Sequence, residues 1–177
     1  MRSGHVIVFH GAGIPLEYRE EPSPDPGPNE ILVRVAIAGV CGTDAHRLSG
    51  DVPALPGPVC FGHEAVGVVE ALGNSVTADR SGAALAPGDR VYWSPSDPCG
   101  KCWTCRVARH RALCEDLHWP APAGRPNAAG FRELATVGPR SALYRIPEGT
   151  SFDSVIAFGC AMPTALEIGR ASCRERV

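Results

Sequence analysis

The sequence predicts a mostly-β domain of short strands and many turns that ends in one C-terminal helix. Three observations predict it. Glycine (20) and proline (17) together exceed a fifth of the 177 residues, which suits turns joining short strands rather than a helical bundle. Short apolar, β-branched runs alternate with breaks rich in Gly, Pro and Asp, the strongest being Glu30–Val40. The clearest helix start lies near Phe152, where Thr150 or Ser151 offers an N-cap and Asp153 falls in the first turn.

Composition narrows the function classes. A hydrophobic content of 44% with 20% charged residues is ordinary for a globular chain. The net charge of −2 gives no reason to invoke nucleic acid or an anionic membrane. Apolar runs are short and broken by Gly, Pro or charge, so no transmembrane segment is expected. Met1 to His5 leads straight into Val6–Phe9 without the long apolar core of a signal peptide. A cytoplasmic protein is expected, in which cysteine clusters are more often metal sites than disulfides.

In order along the chain, Val6–Phe9 is a short apolar strand. Gly11 and Gly13 form a hairpin turn, and Leu16–Glu20 returns as the second strand. The two glycines are not read as a dinucleotide fingerprint, because position 16 is leucine and the next segment reads as a strand, not a helix. Glu21–Asn29 holds four prolines and is expected as a rigid turn. Glu30–Val40 delivers Cys41, and Cys41–Leu48 has the makings of a short helical turn. Gly62–Gly73 is a strand headed by His63 and Glu64. Asn74–Gly88 is a surface loop, and Val91–Trp93 belongs to the next strand. A cysteine-dense lobe spans Pro98–Glu115, and Trp119–Ala129 is a loop. Phe131–Val137 and Ala142–Ile146 are two further strands.

Two constellations carry chemistry. Cys99, Cys102, Cys105 and Cys114 are four thiols within 16 residues of one chain, suited to a tetrahedral ion with Zn–S bonds of about 2.3 Å closing a lobe with little core of its own. Iron is the runner-up metal, and a disulfide-rich loop is the bland alternative. With no open position, such a site is structural. The second constellation is Cys41, His63 and Cys160. Two thiolates and an imidazole leave one tetrahedral position free, as a catalytic zinc needs. Such an ion would polarise a carbonyl or lower the pKa of an alcohol. Thr43 could accept the alcohol proton and His46 could pass it to solvent. Asp44 could hydrogen-bond the His63 ring nitrogen not turned to the metal, and Glu64 could sit near the ion. Thr43 and Asp44 are equally good turn residues, and His46 is equally a solvated one. Cys60 reads as a small apolar core residue.

These residues resemble the zinc-dependent medium-chain alcohol dehydrogenases. The resemblance rests on Cys41-Gly-Thr-Asp-x-His46, on Gly62-His63-Glu64-x-x-Gly67-x-Val69, on Pro87-Gly88-Asp89-Arg90-Val91 and on the four-cysteine lobe. Gly159-Cys160 followed by Thr164-Ala165 looks like the family's third catalytic ligand. The resemblance implies a GroES-like β-barrel catalytic domain over about residues 1–167, with a zinc lobe over about 95–118. It also implies one catalytic and one structural zinc, a small alcohol or carbonyl substrate, and hydride transfer to NAD or NADP. The full-length protein is expected to be a homo-oligomer. The family continues into a Rossmann domain that binds the cofactor, and no glycine-rich strand–turn–helix follows Cys160, so that domain is expected to be absent.

The last ten residues, Ile168 to Val177, are what ATC GGA AGA GCG TCG TGT AGG GAA AGA GTG encodes. That string matches a common short-read sequencing adapter, whose next triplet is a stop. Residues 168–177 are therefore expected to be adapter read-through, leaving Cys173 without a role, and the fragment is expected to be inactive alone. The rival readings are a non-catalytic zinc-binding barrel that acts as a binding or assembly module, and a zinc-independent reductase of the same superfamily.

Overall fold

The N-terminal strands belong to a three-stranded sheet, one of three sheets among the described residues. β1 (Arg2–Phe9) and β2 (Glu17–Ser23) pair antiparallel across the Gly11–Gly13 turn, in register from Arg2↔Ser23 to Val8↔Glu17. β3 (Ile31–Gly39) belongs to the second sheet, and β4 (Val59–Cys60) pairs with the free side of β1. β5 (Glu64–Leu72) and β6 (Arg90–Trp93) follow, then the two-residue strands β7 (Asp97–Pro98) and β8 (Leu117–His118), β9 (Leu134–Val137) and β10 (Leu143–Arg145). The five-stranded sheet has the order β10-β6-β5-β3-β9, and every pair in it is antiparallel. This computed structural model describes residues 2–53, 55, 57–94, 96–108, 113–118, 123–124, 127–160, 162–166 and 168.

Alternation with period two sends one face of each strand inward. Ile31 and Val33, Ala65 and Val69, Val91 and Trp93, and Ala135 and Val137 interleave as one core, with Leu85 and Leu143 at its margin. Trp93 is 1% exposed, and its indole N–H donates to the Ala128 carbonyl at 2.9 Å, so the largest core side chain buries no unpaired donor. Each such fully buried apolar side chain is worth about 1.5–3 kcal/mol of burial. Two smaller clusters, Val6/Val8/Cys60/Ala129 and Phe9/Val59/Phe61, fill the two faces of the N-terminal sheet.

The segment 131–133 joins the sheets. Ile7 N–H donates to Phe131 O at 2.8 Å and Glu133 N–H to His5 O at 2.9 Å, while Val35 N–H donates to Glu133 O at 2.9 Å. The expected strand Phe131–Val137 is thus divided: a bridge at Arg132 to β1, then β9 on β3. The result is the mostly-β domain expected from the sequence, with its three-stranded and five-stranded sheets bridged through this segment.

Several boundaries differ from the expectation. β2 continues through Pro22 to Ser23, although Glu21–Asn29 reads as a turn. Because β2 is an edge strand, with β1 as its partner in the sheet, a proline without an N–H is tolerated there. The extension buries Glu21 beside Arg132, whose guanidinium lies 3.7 Å from the carboxylate, and Arg19 pairs with the same carboxylate at 2.7 Å. Cys60 is buried as expected, but it has polar company: its sulfur accepts the Asn127 amide at 3.3 Å, and burial pushes the thiol pKa up. The short helical turn after Cys41 is a two-turn helix, α1 (Gly42–Ser49), closed by Gly50 at φ +85°. The C-terminal helix is broken. α3 (Phe152–Val155), capped by the Ser151 hydroxyl, gives way to a 3₁₀ turn (Ile156–Gly159), and residues 162–166 are helical again. Within the lobe, α2 (Trp103–Arg106) is a single turn. Part of the Trp119–Ala129 loop, and residues 169–177 with Cys173, lie outside the described residues.

The sheet reaches the site through Gly62, at φ +85°, where an added Cβ would stand 2.6 Å from the Phe131 ring. Both the left-handed backbone and the ring demand glycine. Gly62→Ala is expected to cost about 2–4 kcal/mol of stability, read as a lowered urea midpoint with an unchanged m-value.

Candidate metal centres

The four-cysteine lobe is built on almost no apolar core. β7 pairs with β8 through Asp97↔His118 and Pro98↔Leu117, and Cys102 caps α2. This brings the sulfurs of Cys99, Cys102, Cys105 and Cys114 within 4.8 Å of one another. Backbone donors aim at the sulfurs: Cys99 N–H to Cys114 Sγ at 3.2 Å, Cys102 N–H to Cys99 Sγ at 3.4 Å and Asp116 N–H to Cys114 Sγ at 3.4 Å. The Cys102 thiol, hydrogen-bonded first by the Thr104 hydroxyl and then by backbone N–H groups, is held down to about 6, whereas burial pushes Cys105 up to about 12. Four sulfurs ringed by N–H donors fit a tetrahedral thiophilic ion, so the cluster fits a zinc lobe. The lobe is tied to the sheet by Arg140, which donates to Cys99 O at 3.2 Å, and by the Ser141 hydroxyl, which donates to Ser96 O at 3.1 Å.

The second centre gathers side chains from three distant stretches. β3 ends at Gly39, which pairs with Glu64 at the start of β5. Cys41, two residues past that pair, therefore faces His63, one residue before it, and Cys41 Sγ lies 2.9 Å from His63 Nε2. The 3₁₀ turn after α3 adds Cys160. One ligand atom each from Cys41, His63, Glu64 and Cys160 lie within 4.8 Å of one another.

Asp44 orders this group. It is 2% exposed, one carboxylate oxygen accepts the Cys41 N–H at 3.0 Å, and the other stands 3.3 Å from His63 Nδ1. The hydrogen bond that His63 donates to Asp44 raises the pKa of His63, against burial, and the charges of Asp44 and Cys41 add to it. Cys41 is also the N-cap of α1, its sulfur accepting the Thr43 N–H at 3.2 Å. Burial pushes the Cys41 thiol up, but hydrogen bonds from the Thr43 hydroxyl and N–H, with His63 beside it, outweigh burial and lower its pKa. A helix N-terminus favours the same thiolate. Cys160 goes the other way, raised by burial and by the neighbouring Cys41.

Glu64 stands in a slot. A Cβ on Gly39 would collide with its carboxyl, and one on Gly159 would come within 3.0 Å of its Cα, Cβ and Cγ. Its Oε1 is buried with no hydrogen-bond partner. A buried, unpaired carboxylate oxygen beside two thiols and an imidazole is costly alone and fits a cation among them.

Of the sequence-predicted residues, the structure brings together Cys41, His63, Cys160, Glu64 and Asp44, with Thr43 half-buried against the Cys41 sulfur. His46 is set apart: its side chain is 60% exposed and pairs with Asp51 at 3.2 Å. Sequence reasoning missed the glycine walls around Glu64 and the hold that β6 has on the arm carrying Cys160. Tyr92 Oη donates to Phe158 O at 2.8 Å, and the Arg90 guanidinium lies 4.3 Å from the Phe152 ring centroid. The alternation of Arg90 and Tyr92 with core residues Val91 and Trp93 was the available signal.

Comparison with known proteins agrees with this architecture. Residues 27–148 match the alcohol dehydrogenase GroES-like domain. The chain is 38% identical over 151 residues to 5-exo-hydroxycamphor dehydrogenase of Pseudomonas putida, covering 85% of this chain and 42% of that protein. Among solved structures, an alcohol dehydrogenase of Thermotoga maritima superimposes with a TM-score of 0.75 at 29% identity, over 89% of this chain and 44% of that one. A zinc-binding dehydrogenase of Sinorhizobium meliloti bound to NADP superimposes with a TM-score of 0.67 at 32% identity, over 85% of this chain and 40% of that one. The chain thus spans less than half the length of each of these proteins. Over the part it does span, the domain match and these relatives place it in the zinc-dependent medium-chain alcohol dehydrogenase family.

Proposed function

We propose that this chain is the metal-binding catalytic domain of an oxidoreductase that interconverts a small alcohol and its aldehyde or ketone with NAD or NADP. The observation that carries the reading is the convergence of Cys41, His63, Glu64 and Cys160 within 4.8 Å, apart from the all-thiol lobe. In this reading the lobe holds a structural zinc, and Cys41, His63 and Cys160 hold a second one with a position left for substrate. Zinc bound there supplies Lewis acidity that polarises a carbon–oxygen bond.

The chain's own residues do the rest. Asp44 at Nδ1 fixes the tautomer of His63, so that the Nε2 lone pair is the one offered to the centre. Glu64 brings a third anionic group, beside the two thiolates, to within reach of the centre. The Thr43 hydroxyl, beside the Cys41 sulfur, takes the substrate proton in this reading, and His46, in water beside Asp51, passes it outward. A reducing, cytoplasmic setting goes with this reading, since it keeps clustered cysteines available to metal. No helix among the described residues is long and apolar enough to cross a membrane.

Every strand pair among the described residues is antiparallel, so a parallel dinucleotide-binding sheet is not among them.

Three outcomes test the proposal. Elemental analysis of the purified chain should give close to two zinc ions, and Cys41→Ser should remove one while sparing the lobe. An unchanged zinc content in Cys41→Ser would refute the second centre. Asp44→Asn is expected to weaken zinc at that centre about 10–100-fold, measured by chelator competition. The 177-residue chain alone should show no NAD(P)-dependent turnover. Turnover would contradict the fragment reading, and two bound zincs without activity in any longer form of the gene would favour the assembly module.

A further inference from the structure

Cys160 of the second centre arrives on an arm that packing holds only in part. Neither α3 nor the 3₁₀ turn after it contains a buried residue, and Phe158 is 41% exposed. The arm rests on β3 and β5 through half-buried residues such as Phe152, Val155 and Ile156. β6 adds directed contacts to this packing through its outward face. Val91 and Trp93 point into the core, and the alternate residues Arg90 and Tyr92 meet the arm at its two ends. Arg90 lies over the Phe152 ring where the arm begins. Tyr92 donates to the Phe158 carbonyl at 2.8 Å, two residues before Cys160. The Tyr92 ring is stacked on Tyr144 of β10, with centroids 6.4 Å apart and planes 10° from parallel, which fixes its direction. Burial, then Tyr144 and Cys160, pushes the phenol pKa up, so the hydroxyl remains a donor at neutral pH.

We propose that Tyr92 is a positioning residue for the second metal centre: its hydroxyl holds the 3₁₀ turn so that Cys160 closes on Cys41, His63 and Glu64. The proposal rests on the metal-centre reading above. Tyr92 touches neither substrate nor ligand atom in this role. It acts through the backbone, with Gly159 packed against Glu64 as the stop on the other side. Loss of a hydrogen bond made to a ligand itself typically weakens metal binding by about 10–100-fold, and a bond to a main-chain carbonyl two residues away acts at the lower end of that range.

The test loads the full 177-residue chain with Co²⁺ and follows the thiolate-to-cobalt charge-transfer band through two successive equivalents. Four proteins are compared: wild type, Tyr92→Phe, Cys160→Ser and Tyr144→Phe. Tyr92→Phe keeps the ring and removes the hydroxyl alone. Its lobe equivalent should bind as in wild type, while the second equivalent binds about tenfold more weakly with a reduced charge-transfer intensity per cobalt, part-way to that of Cys160→Ser. Tyr144→Phe should match wild type in both. If Tyr92→Phe matches wild type while Cys160→Ser loses the second-centre band, the positioning role is overturned and the metal centre stands. Loss of both equivalents in Tyr92→Phe would also overturn it, since Tyr92 would then serve the fold at large. If Cys160→Ser itself matches wild type, the metal-centre reading falls first.

Discussion

The antiparallel register of β3 on β5 is the constraint on which the site depends. Gly39 opposite Glu64 is a backbone pairing, yet it decides which side chains meet beyond the strand ends. Shifting that register by one residue would turn every alternate side chain to the other face, exposing Val33 and Val69 and parting Cys41 from His63 together. The core and the centre therefore hold each other in register. The apolar stripe that stabilises the sheet also aligns the ligands, and irregularities in the ladder between Leu32/Val33 and Val35/Ile37 are absorbed before the site is reached.

Asp44 is the point at which local helix chemistry and the site coincide. As the third residue of α1 it completes a capping box with Cys41, and the same carboxylate reaches the His63 ring. One buried anion thus starts a helix, fixes a histidine tautomer and faces a sulfur held toward its thiolate form. The two centres differ in kind for a related reason. In the lobe all donors come from one short stretch and are satisfied by its own backbone. At the second centre they come from β3, β5 and a distant arm, so its geometry reports on the whole fold.

Much of this was legible in the sequence where residue type alone carries the meaning. Four close thiols, or a cysteine and a histidine at the ends of two β-branched runs, admit few physical readings. Short apolar, β-branched runs also located β3, β5 and β6. What escaped depends on partners far away in the chain. Glu21 reads as part of a proline-rich turn until Arg132, more than a hundred residues later, is seen to share its burial. The helix after Ser151 has a sound cap but passes into a 3₁₀ turn whose last residue, Gly159, packs against Glu64, a neighbour the sequence does not reveal. His46 had the right spacing for a relay, but helix α1 carries it outward to Asp51, where a histidine looks like any other solvated one.

The slot around Glu64 has a consequence for descent. Residues 39, 64 and 159 are far apart in the chain, yet they share one small volume in which a carbon added at either glycine presses on the glutamate, which must give way to it. A lineage that enlarges either wall has to move or shorten the side chain at 64, and one that keeps the carboxylate where it stands favours both glycines. Drift at these three positions is therefore coupled.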